Sequence, residues 1–122
     1  MRATTRLEGA PTSAREARRF VNEVLHRARL DGIDDVVVLL ANELVTNAIL
    51  HARSDIELAV ELVSGGVRVE VCDTSPRPLH PRRVAEPLSM SGRGLELVAA
   101  LAASWGVDPL PEGKRVWFEV SL

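Results

Sequence analysis

Glu43-Leu44-Val45-Thr46-Asn47-Ala48-Ile49-Leu50-His51-Ala52 sets an acid, an amide and an imidazole at intervals of four inside a strongly apolar stretch. Upstream lie Val36, Val37, Val38, Leu39, Leu40 and Ala41. The whole segment, from Asp34 or Asp35 to about His51, reads as one helix, and a helix apolar on nearly every side is expected to be buried. Steps of four keep Glu43, Asn47 and His51 along one helical face, drifting about 40° and rising about 6 Å each time. An acid and an amide there are costly unless something satisfies them. Glu43 could pair with an arginine of the preceding helix while Asn47 and His51 cap backbone groups, or all three could face a ligand.

Working outward, Ala17, Val21, Val24, Leu25 and Ala28 recur at helical spacing, so 14–29 reads as an amphipathic helix closed by Arg29-Leu30-Asp31-Gly32. Ser13 and Glu16 ahead of it have the form of a capping box. Thr4–Leu7 has the pattern of a short edge strand. After Ser54 the period changes to two. Ile56, Leu58, Val60 and Leu62 alternate with Glu57, Ala59, Glu61 and Val63, then Ser64-Gly65-Gly66 turns the chain into Val67, Val69 and Val71. From Thr74 to Ser91 the pattern dissolves around Pro76, Pro78, Pro81 and Pro87, a length that points to a lid or binding loop. A third helix is expected over 94–104, a strand at Trp105–Val107, and a last strand through Val116, Phe118 and Val120. The fold class expected is α/β (α+β): a two-layer sandwich with helices on one face of a mixed, mainly antiparallel sheet, in a single domain spanning 1–122.

Composition narrows the function classes. At 122 residues, 46% hydrophobic and 26% charged, the chain has the makeup of one globular domain and not of a disordered segment. Its formal net charge of −2, with two Phe, two Trp and no Tyr, argues against a nucleic-acid binder, even with Arg77, Arg82, Arg83 and Arg93 near the lid. Cys72 is the only cysteine, which excludes an internal disulfide and suits a reducing compartment. No apolar run approaches the ~18 residues of a membrane span, and no signal-peptide core follows Met1. A cytoplasmic location without membrane contact is the expectation.

Two more places look chemical. Asp73 ends an alternating strand where the lid begins, fitting either a turn-initiating aspartate or a carboxylate that accepts from a ligand amine. Gly92-Arg93-Gly94 opens a helix, an arrangement compatible with phosphate approach or with a simple hinge. There is no GxxxxGK[ST] sequence, so the chain lacks a P-loop.

Taken in order, the Glu43–Asn47–His51 box, a strand ending in Asp73, and Gly92-Arg93-Gly94-Leu95 resemble the GHKL superfamily of ATP-binding domains, which includes gyrase and the ATP-binding domains of sensor histidine kinases. Within it the chain is most similar to the stand-alone anti-sigma-factor serine/threonine kinases and the short regulatory ATP-binding proteins of actinomycetes. The resemblance runs from about Ser13 to Leu122, including Val116-Trp117-Phe118-Glu119. It implies a histidine-kinase-like ATPase fold with ATP and Mg²⁺ as cofactors. Asn47 matches the asparagine that holds Mg²⁺ on the ATP phosphates, and Glu43 the acid that polarises the attacking hydroxyl or water. His51 matches the supporting histidine of the same box. Asp73 matches the aspartate that accepts from the adenine amino group. Gly92 and Gly94 match the second glycine box, with Arg93 between them as a phosphate contact. A sigma factor and an anti-sigma-factor antagonist are the implied protein partners, and relatives of this type are commonly homodimers.

One departure stands out. The first glycine box of the family reads DxGxG, whereas here the stretch is Asp73-Thr74-Ser75-Pro76-Arg77. Ser75 takes a nucleotide-binding position that a glycine holds in the family. Close backbone approach to a nucleotide is harder without those glycines. The alternative is therefore a catalytically inactive nucleotide-binding or protein-interaction module of the same fold.

Overall fold

The computed structural model describes residues 1–30, 32–52, 54–74 and 94–122. Five strands and three helices occur among them: β1 (Arg2–Leu7), α1 (Ser13–Arg27), α2 (Asp34–Ala52), β2 (Ile56–Val63), β3 (Gly66–Asp73), α3 (Gly94–Leu101), β4 (Ser104–Leu110) and β5 (Gly113–Ser121). The expected lid at 74–91 lies, after Thr74, outside the described residues.

The strands form one sheet in the order β1-β2-β3-β5-β4. Every pairing is antiparallel, so the mainly antiparallel sheet expected from the sequence is antiparallel throughout its described strands. The register places Ala3, Val60, Val69, Phe118 and Trp105 in one row across it, and Thr5, Leu58, Val71, Val116 and Val107 in the next. Those rows face the helices. α1 packs on β1 and β2, α2 on β2, β3 and β5, and α3 on α2 and β4. Phe118, Leu58, Val60, Val69, Val37, Leu40 and Val45 are fully buried between the two layers. Together they remove enough apolar area from water to hold the layers together.

Local signals explain the element ends. α1 buries Ser13, Ala17, Val21, Val24 and Leu25 as one stripe. Its stop is a Schellman motif: Arg29 takes a φ of 58°, its N–H donates to the His26 carbonyl, and the Leu30 N–H donates to the Leu25 carbonyl. The capping box does not form. Thr12, not Ser13, is the N-cap, with helical backbone angles and no side-chain cap bond, because tight turns through Ala10 and Pro11 already wind the chain into the helix. Ser13 is instead buried as a first-turn residue. In the β2–β3 hairpin, Val63 pairs with Gly66, and Gly65 supplies the φ of 80° that the two-residue turn needs.

α2 departs from the sequence reading in one respect. Val37, Leu40, Ala41, Leu44, Val45, Ala48 and Ile49 are buried, but Leu39 and Leu50 are 42% and 62% exposed. Asn42, Glu43, Thr46 and Asn47 are half-buried. The helix is thus covered on its sheet side and open along a strip from Leu39 to Leu50, because the described elements cover only the other sides.

Candidate functional site

Glu43 and Asn47 stand one turn apart on that open strip of α2. Neither side chain makes a hydrogen bond or an ion pair among the described residues. The arginine of α1 that could have paired with Glu43 goes to its neighbour: an N–H of the Arg18 guanidinium donates to Asn42 Oδ1 at 2.9 Å. The backbone of His51 lies in the last turn of α2. Gly94 is the first residue of α3. Ser75, Gly92 and Arg93 lie outside the described residues.

Asp73 ends β3 on the helix-facing side of the sheet, in the row Leu7, Ile56, Asp73, Lys114 and Pro109. It is 3% exposed, one of the few polar residues in the interior. The Lys114 ammonium donates to Asp73 Oδ2 at 2.8 Å. Gly113 closes over the same residue: with its φ of 142°, a Cβ there would run into the Asp73 carbonyl oxygen and lie 2.6 Å from Asp73 Oδ1. A cavity of ≈ 390 Å³ opens at this end of the sheet, lined by Asp73, Thr74 and Leu110 together with Arg6, Glu57 and Cys72 of the row that faces away from the helices. That volume sits at the lower end of the range for small-molecule pockets.

The structure therefore places Glu43, Asn47, Asp73 and Gly94 on three elements that meet at α2, which packs against both β3 and α3. Lys114 was missed by sequence reasoning, although its signal was present. The alternation of Phe118 and Val116 runs back to position 114, which puts a cation on an apolar face. Its partner could not be read, because the β3–β5 pairing joins residues 41 apart.

Among the described residues no three His, Cys, Asp or Glu side chains gather as a metal site. Asn47 offers one neutral oxygen, as expected where Mg²⁺ comes with phosphates that supply the remaining ligands. Burial, and then the Glu70 charge, pushes the Cys72 thiol up from its ordinary value.

The opposite face of the sheet has a different chemistry. Arg2, Glu61, Arg68 and Glu119 follow one another across β1, β2, β3 and β5, alternating in charge. Glu70 sits one row over, between Ala59 and Trp117. Arg68 donates to Glu70 at 2.7 Å and to Glu119 at 2.9 Å, and Arg2 donates to Glu70 at 3.1 Å. The Arg68 guanidinium also lies 4.1 Å from the Trp117 ring centroid, a cation–π contact. Burial alone would raise the Glu70 carboxyl, but its hydrogen bonds from Arg68 and Arg2 outweigh that and hold it below the usual carboxylate range.

A family model for the histidine kinase-like ATPase domain matches residues 7–120. Among solved structures, the chain is similar to the RsbU and RsbW domains of Rv1364c from Mycobacterium tuberculosis, with a TM-score of 0.74 and 21% identity. That match covers 100% of this chain and 32% of the other, so the chain spans about a third of that protein's length. It is also similar to the Acinetobacter baumannii histidine kinase AdeS, with a TM-score of 0.55 and 13% identity over 98% of this chain and 67% of that one. At these identities the two structures speak for a shared fold. No curated protein matches the sequence.

Proposed function

The chain belongs to the histidine kinase-like ATPase domain family, and from that premise we propose that it binds ATP with Mg²⁺ and works as an anti-sigma-factor-like regulator, transferring phosphate to a serine or threonine of a protein antagonist. The observation that carries this reading is the pair Glu43 and Asn47. Both are half-buried on the open strip of α2, and neither has a partner among the described residues. A structural carboxylate would have taken Arg18, which bonds Asn42 instead.

In this reading Asn47 holds Mg²⁺ through its carboxamide oxygen, and the metal, when bound, offsets phosphate charge. Asp73 accepts from the adenine amino group. Gly92, Gly94 and the N-terminal amides of α3 face the phosphates, with Arg93 beside them, while His51 and Ser75 flank the nucleotide. Glu43 orients the attacking hydroxyl and accepts its proton as the new oxygen–phosphorus bond forms and the bond to the departing diphosphate oxygen breaks. Such transfer depends mainly on positioning and charge neutralisation. The partners are protein, a sigma factor, the antagonist that carries the acceptor, or both, in the cytoplasm.

A second reading has its own observation. Asp73-Thr74-Ser75-Pro76-Arg77 lacks both glycines of the family's first glycine box, which favours an inactive interaction module that keeps the fold. Calorimetry with ATP and ADP, each with and without Mg²⁺, separates the two. Saturable, Mg²⁺-dependent ATP binding is expected, and absence of binding under all four conditions would leave the interaction module.

A further inference from the structure

Asn42 and Glu43 are consecutive on α2 and both half-buried, about 100° apart around the helix. Arg18 of α1 reaches this turn, and an N–H of its guanidinium donates to Asn42 Oδ1 at 2.9 Å. Arg15 and Arg19, exposed beside it on α1, make no ion pair among the described residues. The choice of partner runs against charge. A guanidinium gains more from a carboxylate, which it can meet with two parallel bonds, than from one amide oxygen. The described arginines of the sheet follow that preference: Arg2, Arg6, Arg68 and Arg115 are each paired with an acid. Arg18 instead bonds the amide, and the acid one residue on is left without a partner. Asn42 thus engages a cation that would otherwise stand beside Glu43 with nothing to hold.

We propose that Asn42 is a positioning residue that parks Arg18 and so keeps the Glu43 carboxylate unpaired and open to the attacking hydroxyl or water. The inference rests on the transfer reading of Glu43 above. A carboxylate gripped by an arginine has its lone pairs occupied and its charged form favoured, and both make it a poorer proton acceptor. The arginine stem is long and flexible, so loss of the amide lets the guanidinium swing to the next acceptor on the helix. An exposed pair of that kind adds little stability, so the consequence falls on the chemistry and not on the fold.

Two readouts test it on the wild type, Asn42→Ala, Asn42→Gln, and Asn42→Ala combined with Arg18→Gln. Alanine is the best helix former, so α2 is expected to persist in Asn42→Ala, and melting temperature checks this. The first readout needs no ligand. In NMR spectra the Arg18 Nε–H resonance should stay in place when Glu43→Gln is added to the wild type, and should move when it is added to Asn42→Ala. The second is phosphate release from Mg·ATP, in which water attacks the γ-phosphorus, its proton passes to Glu43, and the bond to the departing diphosphate oxygen breaks. Asn42→Ala should lower kcat about 10-fold, part of the roughly 10²–10⁴-fold worth of a positioned base, with KM for Mg·ATP within about 2-fold. Asn42→Gln keeps the acceptor and the double variant lacks the cation, so both should return to the wild-type rate. A merely structural Asn42 would not be rescued by removing Arg18. An Arg18 resonance indifferent to residue 43 in Asn42→Ala, an unchanged kcat, or a double variant as slow as Asn42→Ala would overturn the proposal and leave the transfer reading in place. A wild type that binds Mg·ATP but releases phosphate no faster than its Glu43→Gln variant would remove Glu43 as the proton acceptor, and this inference with it.

Discussion

The two faces of the sheet use charged residues in opposite ways. On the face away from the helices, Arg2, Glu61, Arg68, Glu70 and Glu119 answer one another in a network, and Trp117 stacks under the Arg68 guanidinium. On the helix side, Glu43 and Asn47 stand on α2 without partners among the described residues, and the sheet that α2 packs on carries the Asp73–Lys114 pair. A satisfied network rigidifies what it joins. Polar groups that the fold leaves unanswered are available to something else. The charged face is therefore read as architecture and the open strip of α2 as chemistry, and substitutions on the two sides should give effects of different kinds.

The largest effect is expected at Glu43. Glu43→Gln keeps size and most hydrogen bonding but removes the proton-accepting oxygen. Phosphate transfer to an antagonist protein should drop roughly 10²–10⁴-fold, the usual worth of a positioned general base, with melting temperature and ATP affinity nearly unchanged. An unchanged transfer rate beside a large fall in melting temperature would move Glu43 to the architectural side. Next comes Asn47→Ala, which should weaken Mg·ATP about 10- to 100-fold in a calorimetric titration while circular dichroism stays that of the wild type. Equal affinity in both folded proteins would take Asn47 out of the site.

Across the sheet the sign of the comparison reverses. Glu70→Ala leaves Arg68 and Arg2 without their shared carboxylate and should destabilise by about 1–3 kcal/mol, a loss of several degrees in melting temperature. Nucleotide binding should not change. A loss of ATP affinity in a folded Glu70→Ala protein would break the division between the two faces. The smallest effect is in pH dependence. The folded-state pKa of Glu70 lies below its unfolded value, so its contribution is fully present above the ordinary glutamate pKa of about 4.3. It is lost as pH falls through the lower, folded value. Acid unfolding of Glu70→Gln should therefore show a shallower loss of stability below about pH 4 than the wild type, read from melting temperatures in a pH series. Parallel curves would mean that the carboxylate charge does not hold the face together.

How far these two faces could be read in advance depends on the range of the interactions. The period of two in β2 and β3, the helical spacing of Ala17, Val21, Val24 and Leu25, and the Ser64-Gly65 turn are local, and all appear where their patterns put them. The spacing of Glu43 and Asn47 is local as well, and the helix that carries them forms as read. The pairing of β3 with β5 is not local, so neither the Asp73–Lys114 pair nor the Arg68–Glu119 pair could be assigned beforehand. Two local signals were overruled by their surroundings. Ser13 is taken into the interior and does not cap, and Leu39 and Leu50 remain exposed on a helix whose composition alone asks for burial all round. A helix records how apolar it is in its sequence, but not which of its sides receives a neighbour.

The division between the faces can be watched in one NMR titration, because each face carries a side-chain N–H reporter. Asn47 has its carboxamide on the open strip of α2, and Trp117 has its indole on the charged face. With saturating Mg·ATP, the Asn47 carboxamide and the backbone amides of Glu43 and Asp73 are expected to shift, while the Trp117 indole and the Arg68 and Glu70 amides stay in place. Shifts centred on Trp117, with the Asn47 carboxamide unmoved, would contradict the assignment of the nucleotide to the helix side.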